Sequence, residues 1–545
     1  MKYLFFLSYL ISISLMGYAQ PVVHERTLAD YVRTAPFPFS LWEKPHIPDR
    51  VFNIVQFGAK PDGQTLNTKY IQQAIDTCAA AGGGVVVIPP GLWLTGPIQL
   101  RSHIELHLDR GAILLFTPDH SQYPIIQPPR SSNFVVASPI SGYDLEDVAI
   151  TGEGIMDGSG DSWRPVKKEK LTSAQWKALL QKGGVLSDDG KIWWPSAEAR
   201  DGEQYLKQLK QAGKKLTAAD YLPARDYLRP YMVLLVRCKN VWIEGVTLKN
   251  SPKFALYPNY CQQVMIKDVK VNNAWWAQNG DGIDISGGKN IIVYRCTVNA
   301  GDDGICMKSS PSRYADSSAA LQNVLVADCI VYHGHGGFVI GSNTDGGIKN
   351  IYVTNCNFIN TDIGIRIKSR RGSGGWVRNI YLDRIYMHDI ANEAVLFDTY
   401  YEQSSARDTT VQPITAETPR FTDFHLSDIQ VNGAASAIVI RGLPEMPVER
   451  IFFTDMHMQT EQGVQLAYAK DIAFRTVAVK NTTGPLINLW DVDEIDLTGF
   501  LFAESTTHPI VIAGSRTRQI HIPASLPSQQ IAWHQLQPDQ VLIRE

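Results

Sequence analysis

The sequence predicts an all-β chain folded as a parallel β-helix, a solenoid of stacked coils. Short apolar strands separated by Gly, Asn and Asp turns fill most of the chain. Within them, a polar residue followed by a β-branched residue, any residue and another apolar residue recurs at steps of 23 to 33 residues. Such periods are typical of solenoids, in which each coil buries its apolar face against its neighbours. No helical pattern separates successive strands, which argues against a βαβ sheet or a leucine-rich repeat.

The polar residue of the repeat is most often Asn, which tolerates left-handed backbone angles and can stack with its equivalents in neighbouring coils. The clearest copies begin at Asn240, Gln263, Asn290, Asn323, Asn350 and Asn379. Weaker copies continue through Ile451 and Ile472 to about residue 520. We therefore expect the β-helix to extend over residues 51–520.

One amphipathic helix is predicted ahead of the repeats. Asn67 can cap it, Ile71, Ala74, Ile75 and Cys78 follow at helical spacing, and a run of three glycines ends it. A single helix in this position could cover the open end of the solenoid, where unpaired strand edges would otherwise be exposed.

Two segments interrupt the period. Residues 166–229 contain helix-like runs around Ser173–Gln181 and Glu203–Ala212. About sixty residues leave little core for an independent module, so a partly helical insertion packed on the solenoid is expected. Residues 402–419 are polar and indicate a long loop, a kind of segment that is often functional.

The two ends of the chain are expected to lie outside the solenoid. A basic start, an apolar run from Leu4 to Met16 and a small-residue exit predict a secretory signal peptide at residues 1–19. The run is too short to span a bilayer as a helix, which takes about 20 residues. A proline- and aromatic-rich lead segment would occupy residues 20–50 and a tail residues 521–545. The mature chain would be secreted or periplasmic.

Composition excludes several classes of protein. With 51 basic and 54 acidic side chains the net charge is −3, so no basic excess points to nucleic acid. The seven cysteines are odd in number and form no CxxC pair, which suggests neither zinc nor a full disulfide framework. Cys296, Cys329 and Cys356 occupy equivalent positions in successive repeats, where we expect small buried core residues. Pairing of some of these cysteines stays open.

Four polar clusters interrupt the apolar strands at the same place in successive repeats. They are Asn279-Gly280-Asp281, Gly301-Asp302-Asp303-Gly304, Gly334-His335-Gly336-Gly337 and Arg366-Ile367-Lys368. Asp281 and Asp302 are 21 residues apart, so we expect them on adjacent coils, roughly 5 Å apart as in paired strands. Asp302 and Asp303 would face opposite ways in a regular strand, and a bend at the flanking glycines would let both reach one cleft.

The chemistry of these clusters indicates acid/base catalysis on an anionic substrate. Carboxylates this close cannot all be ionised cheaply, so at least one pKa should rise. One protonated and one ionised carboxyl is the pair that glycoside hydrolysis requires. Arg366 and Lys368 alternate along a strand and therefore face one side. Asp beside Gly can also be simple turn chemistry, and we prefer that interpretation for Asp284 and Asp345.

Together the four clusters resemble the signatures of glycoside hydrolase family 28, the polygalacturonases. The similar segments Phe52–Asp62 and Asn250–Pro252 extend the resemblance from about residue 51 to 460. The resemblance implies a right-handed parallel β-helix that hydrolyses α-1,4-galacturonosyl bonds of pectic polysaccharide with inversion and without a metal or cofactor. Gly301-Asp302-Asp303 and the run Gly334–Ser342 look more like exo-acting members.

The resemblance also implies catalytic roles. Asp302 would be the general acid that protonates the leaving oxygen, while Asp281 and Asp303 would hold and deprotonate the attacking water. His335 would hydrogen-bond within this network and help to keep Asp302 protonated. One tension remains, since an inverting pair is expected about 6.5–9.5 Å apart and one coil step gives roughly 5 Å.

Further residues would bind the galacturonate unit. Arg366 and Lys368 would hold its carboxylate, Arg as a fork and Lys as a point charge, and Asn279 belongs to the first signature. A tyrosine after the next strands would complete the sugar site. Tyr401 fits this place, with Tyr400 as the alternative.

Two other classes of protein fit parts of the pattern. A pectate-lyase-like eliminase on the same solenoid would need a calcium site and a base near C5 of the sugar. A non-catalytic glycan-binding β-solenoid would leave the register of Asp281, Asp302 and His335 unexplained. The two interrupting segments could each close one end of the cleft, which favours exo-action, and we expect a monomer without a membrane span.

Overall fold

Strands of successive coils stack in parallel along the chain, which confirms the predicted parallel β-helix. The structure, a computed structural model, describes residues 26–211, 213, 215–310, 320–403, 409–502, 510–534 and 542–544. Each coil passes through three sheets in turn, and the apolar side chains that point inward from all three form one continuous core. The predicted signal peptide lies outside the described residues.

The strands of each sheet follow one another along the solenoid axis. The first sheet contains Ile98–Gln99, Ile140–Tyr143, Val233–Val236, Leu256–Asn259, Ile283–Ser286, Asp303–Lys308, Gly336–Ile340, Ile365–Lys368, Gln462–Ala467, Ile487–Trp490, Ile510–Ala513 and Ile531–His534. The second contains Val51–Asn53, Gly84–Ile88, Ile104–Leu108, Glu146–Gly152, Lys239–Glu244, Gln262–Lys267, Gly288–Tyr294, Leu321–Ala327, Arg518–Ile522 and Leu542–Arg544. The third contains Gly91–Thr95, Ala112–Phe116, Ile155–Asp157, Thr247–Lys249, Lys270–Asn272, Thr297–Asn299 and Ile330–His333.

Longer strands turn a corner and serve more than one sheet. They are Ile348–Ile359, Trp376–Asp398, Arg420–Arg441, Val448–Thr460, Ala469–Asn481 and Asp493–Leu501. The predicted end of the solenoid at residue 520 is too early, because Ile531–His534 and Leu542–Arg544 still pair with the preceding coils. Near this end the turn position is held by Gln519, with φ 54°, instead of the Asn that marks earlier coils.

The repeated asparagines form a ladder along the second sheet. Asn290, Asn323, Asn350 and Asn379 all have left-handed φ values of 56–59°. Each amide donates to the side-chain oxygen of the preceding member, at 3.1, 2.9 and 3.1 Å. The ladder satisfies polar groups at a bend that every coil must make, so the same residue type recurs there.

Six of the seven cysteines are core residues, whereas Cys306 is buried on the outer face of its strand beside Asp303 and Lys308. All seven are buried and unbridged. The register that pairs Thr297 with Ile330 and Ile330 with Asn357 places Cys296, Cys329 and Cys356 one above another. The core therefore contains a column of thiols rather than disulfides.

The helix Thr68–Ala80 covers the N-terminal end of the solenoid as predicted. Its residues Ile71, Ala74 and Ile75 are fully buried against the first coils. Asn67 holds the N-cap position, but its side chain makes no capping bond. Its amide instead contacts Lys60 and Leu94 and ties the approach to the helix to the solenoid, so the predicted capping role is wrong.

The insertion packs on one side of the solenoid. It contains the helices Ser173–Leu180, Ala197–Gln211, Ala218–Tyr221 and Arg225–Leu228, and an antiparallel sheet of Val166–Lys167, Val185–Leu186 and Ile192–Trp194. Trp176 and Trp193 bury their rings against Trp276, which belongs to a loop of the solenoid. This contact fixes the insertion beside the loops that lead into the first sheet.

The lead segment crosses the outer face of the second sheet. After the helix Leu28–Arg33, aromatic side chains cover outward apolar residues of the coils. Tyr31 is 1% exposed, and its hydroxyl donates to Asp328.

None of the helices in the described part of the chain combines the length and hydropathy that a membrane crossing requires.

The asparagine ladder yields a test of what holds the coils in register. Asn323→Ala removes two amide bonds, worth about 1 kcal/mol each, and replaces a residue that tolerates the left-handed conformation with one that does not, at about 1 kcal/mol more. We expect the free energy of unfolding to fall by about 2–3 kcal/mol. Asn323→Gly is the control, since glycine accepts this backbone conformation and should lose less. Urea denaturation compares the two, and equal losses would refute the backbone contribution.

Candidate active site

The predicted site residues meet where the loops after the third sheet enter the first sheet. On successive coils, Asn279 and Asp281 precede Ile283–Ser286, Asp302 and Asp303 begin Asp303–Lys308, His335 precedes Gly336–Ile340, and Arg366 and Lys368 lie within Ile365–Lys368. Parallel pairing of these four strands aligns the residues along the solenoid axis. The site is therefore built by four neighbouring coils.

The strand register differs by one residue from the predicted one. Ile283 pairs with Ile305, and the Gly282 amide donates to the Asp303 carbonyl at 2.9 Å, which sets Asp281 opposite Asp303. The prediction that Asp281 and Asp302 lie on adjacent coils about 5 Å apart is confirmed, since their oxygens lie within 4.8 Å, although the coil step here is 22 residues and not 21. Asp302 also lies beside His335, whose amide donates to the Asp302 carbonyl at 2.8 Å.

Three carboxylates converge in this place. One oxygen from each of Asp281, Asp302 and Asp303 lies within 4.8 Å of the other two. Asp281 and Asp303 are 3% and 2% exposed, whereas the side chain of Asp302 is 14% exposed. Oxygen donors at this spacing could hold a cation, but cationic side chains already contact the two buried carboxylates.

Asp303 is held in its ionised form. Lys368 Nζ lies 2.9 Å from Oδ2, and Arg366 Nη1 lies 3.4 Å from Oδ1. Burial alone would raise the pKa of Asp303, but the positive charges of Lys368, Lys308 and Arg366 hold it well below its ordinary value.

Asp281, in contrast to Asp303, tends to bind a proton. Burial, and then the negative charges of Asp284 and Asp302, raise the pKa of Asp281 well above its ordinary value. Its nearest cation, Lys308 Nζ, lies 3.6 Å from Oδ2, and its buried Oδ1 has no hydrogen-bond partner in the structure. The cluster thus combines a carboxylate that stays ionised with one that binds a proton readily.

The hydrogen bonds of Asp302 distinguish its two oxygens. Oδ1 is 3.1 Å from His335 Nδ1 and accepts from the Asp303 backbone amide, also at 3.1 Å. Oδ2 has only the longer contacts from the backbone and side-chain nitrogens of Asn279, at 3.3 and 3.5 Å. Oδ2 is therefore the less strongly hydrogen-bonded of the two oxygens.

Asp284 and Lys308 belong to the site, although the sequence analysis did not place them there. Asp284 is fully buried within Ile283–Ser286 and forms an ion pair with Lys308, so its interpretation as turn chemistry is wrong. Burial raises the pKa of Asp284 to about 6, against the opposing effect of Lys308. The alternation of Ile283 and Ile285 around Asp284 was the available signal, since it places Asp284 on the outer face of the strand.

The two predicted carboxylate-binding residues differ in accessibility. The side chain of Lys368 is 5% exposed and is engaged by Asp303. Arg366 is 17% exposed, and its buried Nε has no hydrogen-bond partner in the structure. The Tyr401 ring lies 4.8 Å from Lys368 Nζ and 5.5 Å from Arg366 Cζ. Tyr400 is 3% exposed and packs near Arg371 instead, so Tyr401 is the tyrosine at this site.

The insertion reaches the site at both of its ends. Near its start, Lys170 Nζ lies 3.4 Å from His335 Nε2. At its end, Arg229 donates to the Gln278 carbonyl at 3.0 Å and to the Asn279 side chain at 2.8 Å. No sequence pattern linked these cations to the site, because the fold of the insertion alone brings them there.

Comparison with known families agrees with this arrangement. Residues 223–472 match Glycosyl hydrolases family 28, and this range contains every predicted site residue. The matched segment, which carries all four predicted signatures, supports membership of glycoside hydrolase family 28. Residues 51–109 also match Rhamnogalacturonase A/epimerase, pectate lyase-like, a segment that ends far ahead of the site.

Proteins similar to this chain include enzymes named as exo-acting. It is 28% identical to an exo-poly-alpha-D-galacturonosidase of Dickeya chrysanthemi over 450 residues, which are 79% of this chain and 71% of the relative. The crystal structure of a hyperthermoactive exopolygalacturonase from Thermotoga maritima is similar with a TM-score of 0.66 and 26% identity, over 81% of this chain and 94% of that one. A family 28 exopolygalacturonase of Yersinia enterocolitica shares the fold, with a TM-score of 0.61, 21% identity and coverage of 89% and 78%.

The ion pair of Asp303 with Lys368 yields a stability test. Asp303→Asn leaves the Lys368 ammonium buried beside a neutral group, and breaking a buried pair typically costs about 3–5 kcal/mol. Asp302→Asn is the control, because that side chain is more exposed and, among the described residues, no Lys or Arg nitrogen lies within 4 Å of it. We expect the free energy of unfolding to fall by about 3 kcal/mol or more in the first variant only, as measured by urea denaturation at neutral pH.

The same pair fixes the sign of a pH effect. Since the pKa of Asp303 is lowered on folding, its contribution is complete above the ordinary carboxyl pKa of about 4 and is lost as pH falls further. The difference between wild type and Asp303→Asn should therefore shrink in acid. A pH-independent difference would contradict the ionised state of Asp303.

Proposed function

We propose that this family 28 enzyme hydrolyses α-1,4-galacturonosyl bonds in pectic polysaccharide. One observation carries the proposal, namely that carboxylates of opposite protonation tendency lie within 4.8 Å of one another beside buried cations. Hydrolysis needs a proton donor and a proton acceptor, and the cations suit an anionic sugar. The names of relatives from Dickeya chrysanthemi and Thermotoga maritima support the same substrate class.

Each catalytic residue then has one task. Asp302 gives the proton on Oδ2 to the leaving glycosidic oxygen, and water attacks the anomeric carbon. Asp281 and Asp303 hold that water between them and take its proton. His335 holds Asp302 Oδ1. The bond to the leaving oxygen breaks as the bond to water oxygen forms, and one water is consumed per bond cleaved.

The stereochemical outcome rests on the family. The closest oxygens of the three aspartates lie within 4.8 Å, below the separation of about 6.5–9.5 Å usual for the two carboxyls of inverting enzymes. We propose inversion, with water held between Asp281 and Asp303 rather than across a wide pair. Proton NMR of the first product anomer, recorded before mutarotation, decides between inversion and retention.

Substrate binding falls mainly to exposed groups around the cations. Arg366 offers the more accessible fork for the galacturonate carboxylate, and Tyr401 covers the pair. Lys368 acts chiefly through Asp303, although its charge still contributes to the field at the sugar. Asn279, held by Arg229, places its amide beside the leaving group and Asp302.

The insertion and the Tyr401 segment support exo-action from the non-reducing end. Lys170 and Arg229 bring the insertion against two catalytic loops, and Tyr401 covers the cations that would bind the sugar carboxylate. Structure that borders the cleft in this way limits the length of chain that can lie across it. A pocket of this kind releases single galacturonate units.

The compartment follows from the substrate. We propose that residues 1–19 are a signal peptide and that the mature monomer acts outside the cytoplasm, where pectic polymers are met. Two alternatives, the eliminase and the non-catalytic glycan-binding solenoid, are not favoured. An eliminase would be recognised by ultraviolet absorbance of its unsaturated product.

Removal of the acid tests the assignment. Asp302→Asn keeps the shape and removes the titrating group, so kcat should fall by the roughly 10²–10⁴-fold typical of an acid/base residue. Asp345→Asn is the matched control, since Asp345 lies in a turn and bonds Ser310, and it should retain activity. The assay measures reducing sugar from polygalacturonate. Near-normal turnover of a folded Asp302→Asn enzyme would refute the assignment of Asp302 as the general acid.

Product size tests the mode of attack. A pocket that accepts one chain end should release monomer from the first minutes, while the viscosity of a long galacturonan falls slowly. Chromatography of early digests, beside an endo-acting enzyme as control, provides the measurement. An early ladder of mixed oligomers would show that the cleft is open at both ends.

A further inference from the structure

Lys170 belongs to the insertion, yet its side chain contacts His335 of the solenoid. It ends the 3-10 turn Lys168–Lys170, directly after the strand Val166–Lys167. The helix Ser173–Leu180 follows, and its N-terminus is fixed by a capping box of Thr172 and Gln175. With Trp176 packed against the solenoid, Lys170 is held on both sides by ordered structure.

Three charged side chains contact the His335 ring. Asp302 Oδ1 lies 3.1 Å from Nδ1, Asp362 Oδ2 lies 3.6 Å from Nε2, and Lys170 Nζ lies 3.4 Å from Nε2. Lys170 also lies 3.9 Å from Asp362 and 5.9 Å from the Trp275 ring. One ring nitrogen therefore faces a carboxylate and a cation at the same time.

An ammonium can only donate. A hydrogen bond from Lys170 to Nε2 requires a lone pair on that nitrogen, and so a neutral imidazole with its proton on Nδ1. That proton is then donated to Asp302 Oδ1. If His335 took a second proton at Nε2, the new charge would face the ammonium of Lys170 directly, which is unfavourable.

We propose that Lys170 is a positioning residue. It keeps the proton that is given to the leaving oxygen on Asp302 rather than on His335. The inference rests on the proposed hydrolysis, in which Asp302 must be protonated. A proton can reside on Asp302, with neutral His335, or on His335, with ionised Asp302. Lys170 disfavours the second arrangement, whereas Asp362 favours it.

The opposing effects of Lys170 and Asp362 on His335 predict how kcat changes in four variants. Lys170→Met leaves Asp362 unopposed, so the proton moves to His335 and kcat falls by roughly 10- to 100-fold, within the usual range for an acid/base group. Asp362→Asn should change kcat by less than about 3-fold. The double variant removes both influences and should recover most of the loss. Lys170→Arg keeps the charge and should retain more activity than Lys170→Met.

Histidine NMR provides a readout that does not depend on turnover. The full chain is labelled with ¹⁵N-histidine, and the His335 signals are assigned by their absence in His335→Gln. We expect neutral imidazole with Nδ1–H in wild type at the pH of activity, and imidazolium in Lys170→Met. Lys168→Met is the matched control, because Lys168 is an exposed cation of the same turn, and it should match wild type in both readouts.

Several outcomes would overturn the proposal. They are unchanged His335 signals in Lys170→Met, a double variant as impaired as the single one, or a rise in KM for galacturonides alone, which would make Lys170 a substrate contact. If Lys170→Met fails to fold, Lys170→Gln and Lys170→Arg are compared instead, and equal activity of these two contradicts a charge effect. A wild-type enzyme inactive on galacturonan would refute the proposed function, while the NMR result on the proton would still stand.

Discussion

The distance between adjacent coils is the constraint on which the site depends. Paired strands lie about 4.8 Å apart, so a residue repeated once per coil meets its counterpart at contact distance. In this chain the rule stacks asparagines at the turn and cysteines in the core. Where the loops enter the first sheet, it stacks carboxylates. On an ordinary protein surface, side chains with these charges would move apart to reduce their repulsion. Here the backbone prevents that separation, and protons and buried cations must balance the charge instead.

That balance separates the aspartates by environment. Asp303 has Lys368 and Arg366 as close partners, while Asp281 has only a more distant contact to Lys308, which already pairs with Asp284. The low dielectric constant of a buried site strengthens each ion pair and makes each unpaired charge more costly. The three aspartates thus obtain different proton affinities from their surroundings in the fold, although each stands beside a glycine in the sequence. The more exposed position of Asp302 adds a third environment, open to a leaving group.

The fold and the central residues were predictable because they depend on local patterns and on period. The Asn-led repeat defined the coils, and the spacing of Asp281, Asp302 and His335 placed them on neighbouring strands. The register was predicted one residue off, because a loop that bends before a strand can hold an extra residue without altering the strand pattern. Lys170 and Arg229 were not predictable, since their approach depends on how the insertion packs through Trp176 and Trp193. The ion pair of Lys368 with Asp303 could not be predicted either, because the alternation of side chains shows which face of a strand a residue lies on but not its partner two coils away.

The column of thiols in the core has a consequence for how the chain is made. All seven cysteines are buried and unbridged, so the native state contains no disulfide bond between them and owes none of its stability to one. A chain that folds in an oxidising compartment must therefore close its coils before neighbouring thiolates are exposed long enough to be oxidised. Coils that add one after another from a nucleus would shelter each thiol as its strand docks. Production in a reducing cytoplasm should accordingly give the same native core, with no isomerase required.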